Sequence, residues 1–353
     1  MNSIQNYYST NYTTCSKCDT FLCSLQVFTT LGCSLSVIAM PLYILGGYCI
    51  LQKSPSQMGN YKGPLFNLHF WSCFVDILYN TLIAPYLMYP ALAGIPGGLF
   101  EKIGMPVVIQ LWIGIFSINQ MIMSITILFE NRYNSIPFNK HKISGKLLKF
   151  VYYTVRVIIC VFFSSILFLY LPENQEAALL EILTKIPCPT EEYFKNTVFV
   201  LVVDKNYITL LGRIMNVFFV IEILQINYFV IYCIYNLFFS SNKFTSAKTK
   251  KLQISFFRSI VMQVSIPLLF LIPIFIIMTT SIAFGYYNQA LTNYTIIHAS
   301  LHGLLSTFTI LAIHKPYRDF IFSKFRKPAL VEASKPSVTS RRSLNVFATA
   351  VIS

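Results

Sequence analysis

Charge is what this chain has least of. Asp, Glu, Lys and Arg together make 11% of its 353 residues, with only 13 acidic residues against 27 basic ones. One water-soluble domain of this length would need far more charged surface, so that class is excluded. Catalytic signatures are missing as well. There is no Gly-x-Ser-x-Gly, no phosphate-cradling glycine-rich loop and no His-Glu-x-x-His, so neither an enzyme nor a cofactor is expected.

What fills the chain is hydrocarbon. Hydrophobic residues make 55% of it and gather in seven stretches, at 24–51, 64–89, 104–129, 151–170, 207–239, 259–284 and 294–314. A helix needs roughly 20 apolar residues to cross a bilayer, so the expectation is an all-α membrane protein, a bundle of seven transmembrane helices. The first stretch has no basic region before it and exceeds the roughly 7–15 residues of a signal-peptide core. The longest gap, 171–206, is too short for an independent core.

The net charge of +14 would fit a nucleic-acid partner, but its distribution argues against one. Gaps 52–63, 130–150 and 240–258 and the tail after 314 hold 20 of the 27 Lys and Arg. By the positive-inside rule the N-terminal segment 1–23 is extracellular and the tail cytoplasmic. The acids lean the other way, with Glu173, Glu176, Glu181, Glu191, Glu192 and Asp204 in the gap after helix four. Two N-x-T sequons, at Asn11 and Asn293, fall on the outer side. Asn11 is the better glycan acceptor, because Asn293 abuts the membrane.

Topology sorts the nine cysteines. Cys33, Cys49, Cys73, Cys160 and Cys233 lie in apolar spans and are read as small hydrophobes. Cys15, Cys18, Cys23 and Cys188 face outward, where disulfides form. The expected bridge runs from Cys188 to the N-terminal segment, with Cys18 or Cys23 as partner. Cys15-x-x-Cys18 has no further ligands at fitting spacing, so no metal is expected.

Several stretches occur in order along the chain: Pro41 to Ile50, Leu68-His-Phe-Trp71 with Asp76, Phe129-Glu-Asn-Arg-Tyr133, Gln263-Val-Ser-Ile-Pro267, His302-Gly-Leu-Leu-Ser-Thr307 and His314-Lys-Pro-Tyr-Arg318. Together they resemble nematode serpentine receptor class H. The resemblance implies a G-protein-coupled chemoreceptor in the plasma membrane of a sensory neuron's cilium, with a small odorant or tastant as ligand, a heterotrimeric G protein as partner and no nucleic acid. Two alternatives stand beside it: a ligand-gated channel subunit, and a peptide-activated receptor of the same fold drawn to the acidic gap.

Glu130, Arg132 and Tyr133 close helix three. An acid and an Arg at this place in rhodopsin-like receptors switch between an ion pair and the G protein, although here Asn131 intervenes. The other reading is that Arg132 anchors the helix at a phosphate-rich interface. Lys248, Lys250 and Lys251 lie at the basic end of helix six and are assigned to the same coupling face, which would equally suit anionic lipid. Pro267 and Pro273 favour kinks in helix six. Asp76, about halfway through helix two, is assigned an activation or structural role, with sodium binding or a protonated, hydrogen-bonded carboxyl as alternatives.

A pocket opening outward between the helices is expected to draw on Gln110, Trp112, Arg213, Glu222, Met278, Thr279 and His298, with contact to a helical neighbour as the other reading of Glu222. Arg156 is read as snorkelling to the basic side. His298 and His302, four apart, are expected on one face, bonded between helices. Residues 315–327, with Pro316, Tyr317 and Arg318, read as an interfacial helix whose Phe320, Ile321 and Phe325 enter the acyl boundary. The tail 328–353, with Ser337, Thr339, Ser340 and Ser343, reads as disordered and as a possible arrestin site.

Overall fold

In a computed structural model of the chain, residues 3–16, 18–136, 139, 142, 143, 145–239 and 247–325 are described. The tail from 326 and Ser246 lie outside the described residues, as does the side chain of Lys248. A short α1 (Ser3–Thr10) precedes α2 (Leu25–Gln52), which Ser24 caps by accepting from the Val27 amide. Then come α3 (Gly59–Ile77), β1 (Pro85–Leu87), β2 (Leu92–Pro96), α4 (Leu99–Lys102), α5 (Val107–Asn134) and α6 (Lys146–Ile166). After α7 (Gln175–Lys185), α8 (Glu192–Lys195) and β3 (Phe199–Val202), the chain continues in α9 (Lys205–Ile234) and α10 (Ala247–Phe284). It closes with α11 (Gln289–Ala299), α12 (His302–Ile313) and α13 (Lys315–Phe325).

Among the described residues six spans are long and apolar enough to cross a membrane: α2, α5, α6, α9 with its terminal π turn, most of α10, and α11 with α12. The seventh, α3, is less apolar because its inner side carries buried His69, Ser72 and Asp76. It packs against α2, α5 and α12. Of the membrane-length helices α5 is the most enclosed, with 56% of its apolar window buried against 17% for α6, which places α5 in the middle of the bundle.

Several boundaries differ from hydropathy. Helix two, expected at 64–89, starts at Gly59, passes through a π turn at Leu78–Leu82 and stops there. Ala84 at φ 43° and Pro85 then turn the chain into β1. Apolar β1 was read as membrane because a run of Leu, Ile, Tyr and Pro has no helical or strand signature of its own. Helix three continues past 129 to Asn134, so Glu130 to Tyr133 are helical. Helix seven is interrupted at Ser300 and Leu301.

The chain between helices four and five folds together with the chain between helices two and three. Strands β1, β2 and β3 form an antiparallel sheet, with Tyr86 opposite Ile95 and Gly94 opposite Phe199. Tyr86, Met88, Ile95, Ile182, Tyr193 and Val200 bury a common apolar cluster with Phe28 and Ile296 from the bundle. The 171–206 segment is indeed too short for a core of its own, and it builds one jointly with β1, β2 and the helix ends. The result is a folded cap over the end of the bundle nearest the N-terminus. A second, larger cluster, including Ile50, Leu68, Leu128, Phe229, Ile260 and Tyr317, fills the opposite half.

Candidate functional site

Along α2 and α12, buried polar groups separate the two apolar clusters. Asp76 sits among them, 1% exposed. Its Oδ2 accepts from the Tyr43 hydroxyl at 2.7 Å and from the Leu304 amide at 3.1 Å. His302 Nδ1 lies 2.7 Å from Oδ1 and 2.9 Å from the Ala299 carbonyl. Next to them His69 Nε2 meets the Tyr43 carbonyl at 3.0 Å, and Thr307 lies 3.4 Å from its Nδ1. Glycine lets these helices close: a Cβ on Gly303 would stand 2.5 Å from Asp76 Oδ2 and 2.8 Å from the Ser72 carbonyl. Asp76 therefore ties α2, α3 and α12 together.

His298 does not share this environment. The turn at Ser300 rotates α12 against α11, so His298 stacks on Phe270 of α10, ring centroids 4.5 Å apart, while His302 faces Asp76. His298 Nδ1 is buried and has no hydrogen-bond partner.

A second polar joint corrects two expectations at once. Arg156 does not snorkel: its Nη2 donates to Glu222 Oε1 and Oε2 at 2.8 and 2.7 Å, and its Nη1 to Gln225 Oε1 at 2.5 Å. Thr126 of α5 donates to Glu222 Oε2 at 2.9 Å. Glu222 is thus committed to an ion pair joining α6 and α9. A buried charge in the bilayer needs such a partner. The signal was present in the sequence. Arg156 lies ten residues into α6 from Lys146, and Glu222 twelve before the end of α9 at Ile234, so both sit about 15–18 Å from the same face.

The end of α5 is a hub. Glu130 accepts from Tyr153 of α6 at 3.0 Å and from Asn134 at 2.7 Å. Asn131 donates to the Asn60 carbonyl of α3 at 3.1 Å. Arg132 donates to the Gln253 carbonyl of α10 at 3.0 Å. Tyr133 packs its ring on Tyr228, Phe229 and Tyr232 of α9, with centroids 5.8, 5.1 and 4.7 Å away. Successive helical residues point about 100° apart, so four consecutive side chains reach four different helices. With Asn131 between them, Glu130 and Arg132 do not pair, since residues two apart on a helix do not face each other.

The outer pocket is not assembled from the residues expected. Gln110 turns its amide to the Met105 carbonyl at 2.8 Å and to Glu101 at 3.2 Å. Trp112 bonds Ser165 at 3.1 Å beside a shallow cleft of about 340 Å³ between α5 and α6. Arg213 is exposed on α9, and Thr279 bonds its own helix at the Phe275 and Ile276 carbonyls. Met278 is half-buried on the same helix. Helix rotation, which composition does not encode, separates these residues.

The cap is tied down covalently. Cys15 bonds Cys188 and Cys18 bonds Cys23, so the partner of Cys188 is neither Cys18 nor Cys23. Only five positions separate Cys18 from Cys23, so the pair closes locally and leaves Cys15 for the distant residue. The Tyr86 hydroxyl donates to the Cys23 carbonyl at 2.5 Å, and Asn293 donates to the Leu22 carbonyl at 2.7 Å. Asn293 is fully buried, which removes it as a glycan acceptor, whereas Asn11 is exposed. Burial pushes the Tyr287 hydroxyl up to about 12, keeping it a neutral donor, and it bonds Gln289 at 3.2 Å. Four of the six acids are used internally. Glu181 and Glu191 pair with Lys185 and Lys195, Glu192 accepts from the Leu25 amide, and Asp204 caps α9.

At the other end Pro316 opens α13, and Tyr317 is fully buried with its hydroxyl 2.6 Å from Ser54. Arg318 donates to the Ala312 carbonyl at 3.0 Å, satisfying the end of α12. Phe320 and Ile321 are half-buried and pack back on the bundle, and Phe322 is exposed. The side chain of Phe325 lies outside the described residues. Pro267 and Pro273 both lie inside α10.

The fold is similar to that in a crystal structure of squid rhodopsin, at a TM-score of 0.51 and 13% identity over 90% of this chain and 89% of the other. In sequence the chain is 33% identical to serpentine receptor class H-72 of Caenorhabditis elegans over 330 residues, which are 92% of this chain and 93% of that protein. The model for the serpentine type 7TM GPCR chemoreceptor Srh family matches residues 23–327. This multi-pass membrane protein, with helices converging on Glu130 to Tyr133, therefore belongs to the Srh family of serpentine chemoreceptors, a receptor family and not an enzyme class.

Proposed function

We propose that the protein binds a small environmental chemical, an odorant or tastant, in the half of the bundle beneath the cap and activates a heterotrimeric G protein at the α13 end. The observation that carries this reading is the four-way hub at Glu130, Asn131, Arg132 and Tyr133. A shift of α10 against α5 releases the Arg132 bond to Gln253 and frees a cation for a partner at that face. Ligand binding biases this two-state packing; no chemistry is done on the ligand. His298, with its unmatched buried Nδ1, is the residue assigned to ligand contact.

In this reading the cap lies outside. Two disulfides in the cap suit an oxidising compartment, and the basic residues gather at the other end. The setting is then the plasma membrane, in the cilium of a chemosensory neuron. A peptide ligand is disfavoured, because four of the acids that would attract one are engaged within the cap.

The test is surface expression with a G-protein reporter, screening volatile and water-soluble chemicals, with Arg132→Ala alongside. A response lost in Arg132→Ala at normal surface expression supports coupling through the hub. A response that survives both the substitution and G-protein removal overturns it in favour of a channel.

A further inference from the structure

The side of α10 turned away from the bundle carries a graded stripe. Lys251, Ser255, Arg258 and Met262 are spaced four, three and four residues apart, so they share one helix face, and all four are exposed. Seven residues further on, Leu269 continues the stripe and is 67% exposed. Between this face and Ile313, the last residue of α12, lies a cleft of about 650 Å³. Lys250, Lys251 and Arg258 supply three cations to its walls, and among the described residues no acid lines it. Ser255 and Ser259 add hydroxyls, while Ile254, Met262 and Ile313 make the apolar part.

From Lys251 to Met262 the helix rises about 16 Å, the distance from a headgroup layer into the acyl region. Polarity follows that descent: cations first, hydroxyls among them, hydrocarbon below. A protein approaching from water would meet only the rim of this cleft. A phospholipid would meet all of it.

We propose that the cleft binds one anionic phospholipid with a phosphorylated headgroup, its phosphates between Lys251 and Arg258 and an acyl chain along Met262 and Leu269. The site assigns Lys250 and Lys251 to lipid at the outer side of α10 and leaves the hub around Arg132 to the signalling partner. An occupied cleft braces α10 against α12, so the lipid holds the helix whose displacement frees Arg132.

The experiment uses the full chain in nanodiscs of phosphatidylcholine doped with phosphatidylinositol bisphosphate or phosphatidylserine, with retained lipid read by native mass spectrometry. A juxtamembrane cation contributes about 1 kcal/mol to such binding, so Lys251→Gln with Arg258→Gln is expected to weaken bisphosphate retention about thirty-fold. Ser255→Asp, which adds one repelling charge to an exposed position, weakens it as well and serves if the double variant fails to fold. Lys146→Gln with Lys149→Gln, two exposed cations on α6, leaves retention unchanged. Equal loss in the α6 pair means diffuse surface charge and overturns the site. Inositol trisphosphate binding as tightly as the lipid means a soluble-anion site, which also overturns it. Unchanged lipid retention with G-protein activation lost in the α10 variants gives the cleft to a protein partner instead.

Discussion

Arg156 and Glu222 meet inside the bundle with one guanidinium nitrogen 2.8 and 2.7 Å from the two carboxylate oxygens, each residue under a tenth exposed. Around them Thr126 donates to Glu222, Arg156 Nη1 donates to Gln225, and Gln225 donates to the Tyr152 hydroxyl at 2.9 Å. The pair is the strongest polar link between α6 and α9, and α6 has little other burial to hold it.

Removing one partner leaves the other charge buried and alone. Arg156→Met is therefore expected to lower stability by about 3–5 kcal/mol, and Arg156→Met with Glu222→Leu to recover most of it. Thermal unfolding of the four proteins in nanodiscs measures the cycle. Wild-type stability in the single variant would show that the ion pair contributes nothing.

Glu130 bonds Tyr153 and Asn134, and Arg132 bonds α10 on another side. Glu130→Gln keeps an acceptor for Tyr153 and does not touch the Arg132 bond, so basal reporter activity is expected to stay at the wild-type level. Constitutive signalling in that variant would show that the acid restrains Arg132 after all.

A methyl group at Gly303 meets Asp76 Oδ2 and the Ser72 carbonyl, the second of which is backbone and cannot rotate away. Gly303→Ala is expected to cost about 1–3 kcal/mol by forcing α12 from α3. The check is surface expression with the thermal midpoint of the purified chain, and an unchanged midpoint contradicts the close approach.

Breaking Cys15–Cys188 frees a loop of 173 residues, for which chain entropy sets an upper bound of about 5 kcal/mol. The membrane spans hold most of that loop in place, so the loss in Cys188→Ser is expected to be smaller and confined to the cap. Hydrogen exchange resolves it: faster exchange in β1, β2, β3 and α7 with the α5 amides unchanged. Uniform acceleration through α5 would mean that cap and bundle unfold together.

His298→Phe retains the stack on Phe270 and deletes the unmatched Nδ1. Once an activating chemical is in hand, its potency is expected to fall about ten-fold in this variant while the maximal response holds, an effect the size of one hydrogen bond. Unchanged potency removes His298 from the contact set.

Hydropathy and charge sidedness made the seven spans and their order legible, because a bilayer imposes length and composition directly. The same measure misread Pro85 to Leu87, where apolar residues serve a cap rather than a membrane. Glu130 to Tyr133 stood out as the charged end of an apolar run, but which helix each would reach depended on 100° steps and on neighbours that no local pattern names. Arg156 and Glu222 were each visible as a lone intramembrane charge. Their pairing required comparing depths on two helices far apart in the chain. The pocket residues were legible only in depth, and depth without rotation does not bring Gln110, Arg213 and Glu222 together.

The bond between Cys15 and Cys188 also makes a covalent ring of everything between them. Four spans, α2, α3, α5 and α6, hang on that ring, and α9 through α12 do not. A protease that cuts once at the α13 end, between α2 and α3 or between α5 and α6, opens the ring without releasing a fragment, and the receptor still runs as one species until thiol is added. A single cut between α9 and α10, outside the ring, separates two pieces at once. The chain thus carries its own topological label, by which a nick in its first four helices is distinguished from one in its last three.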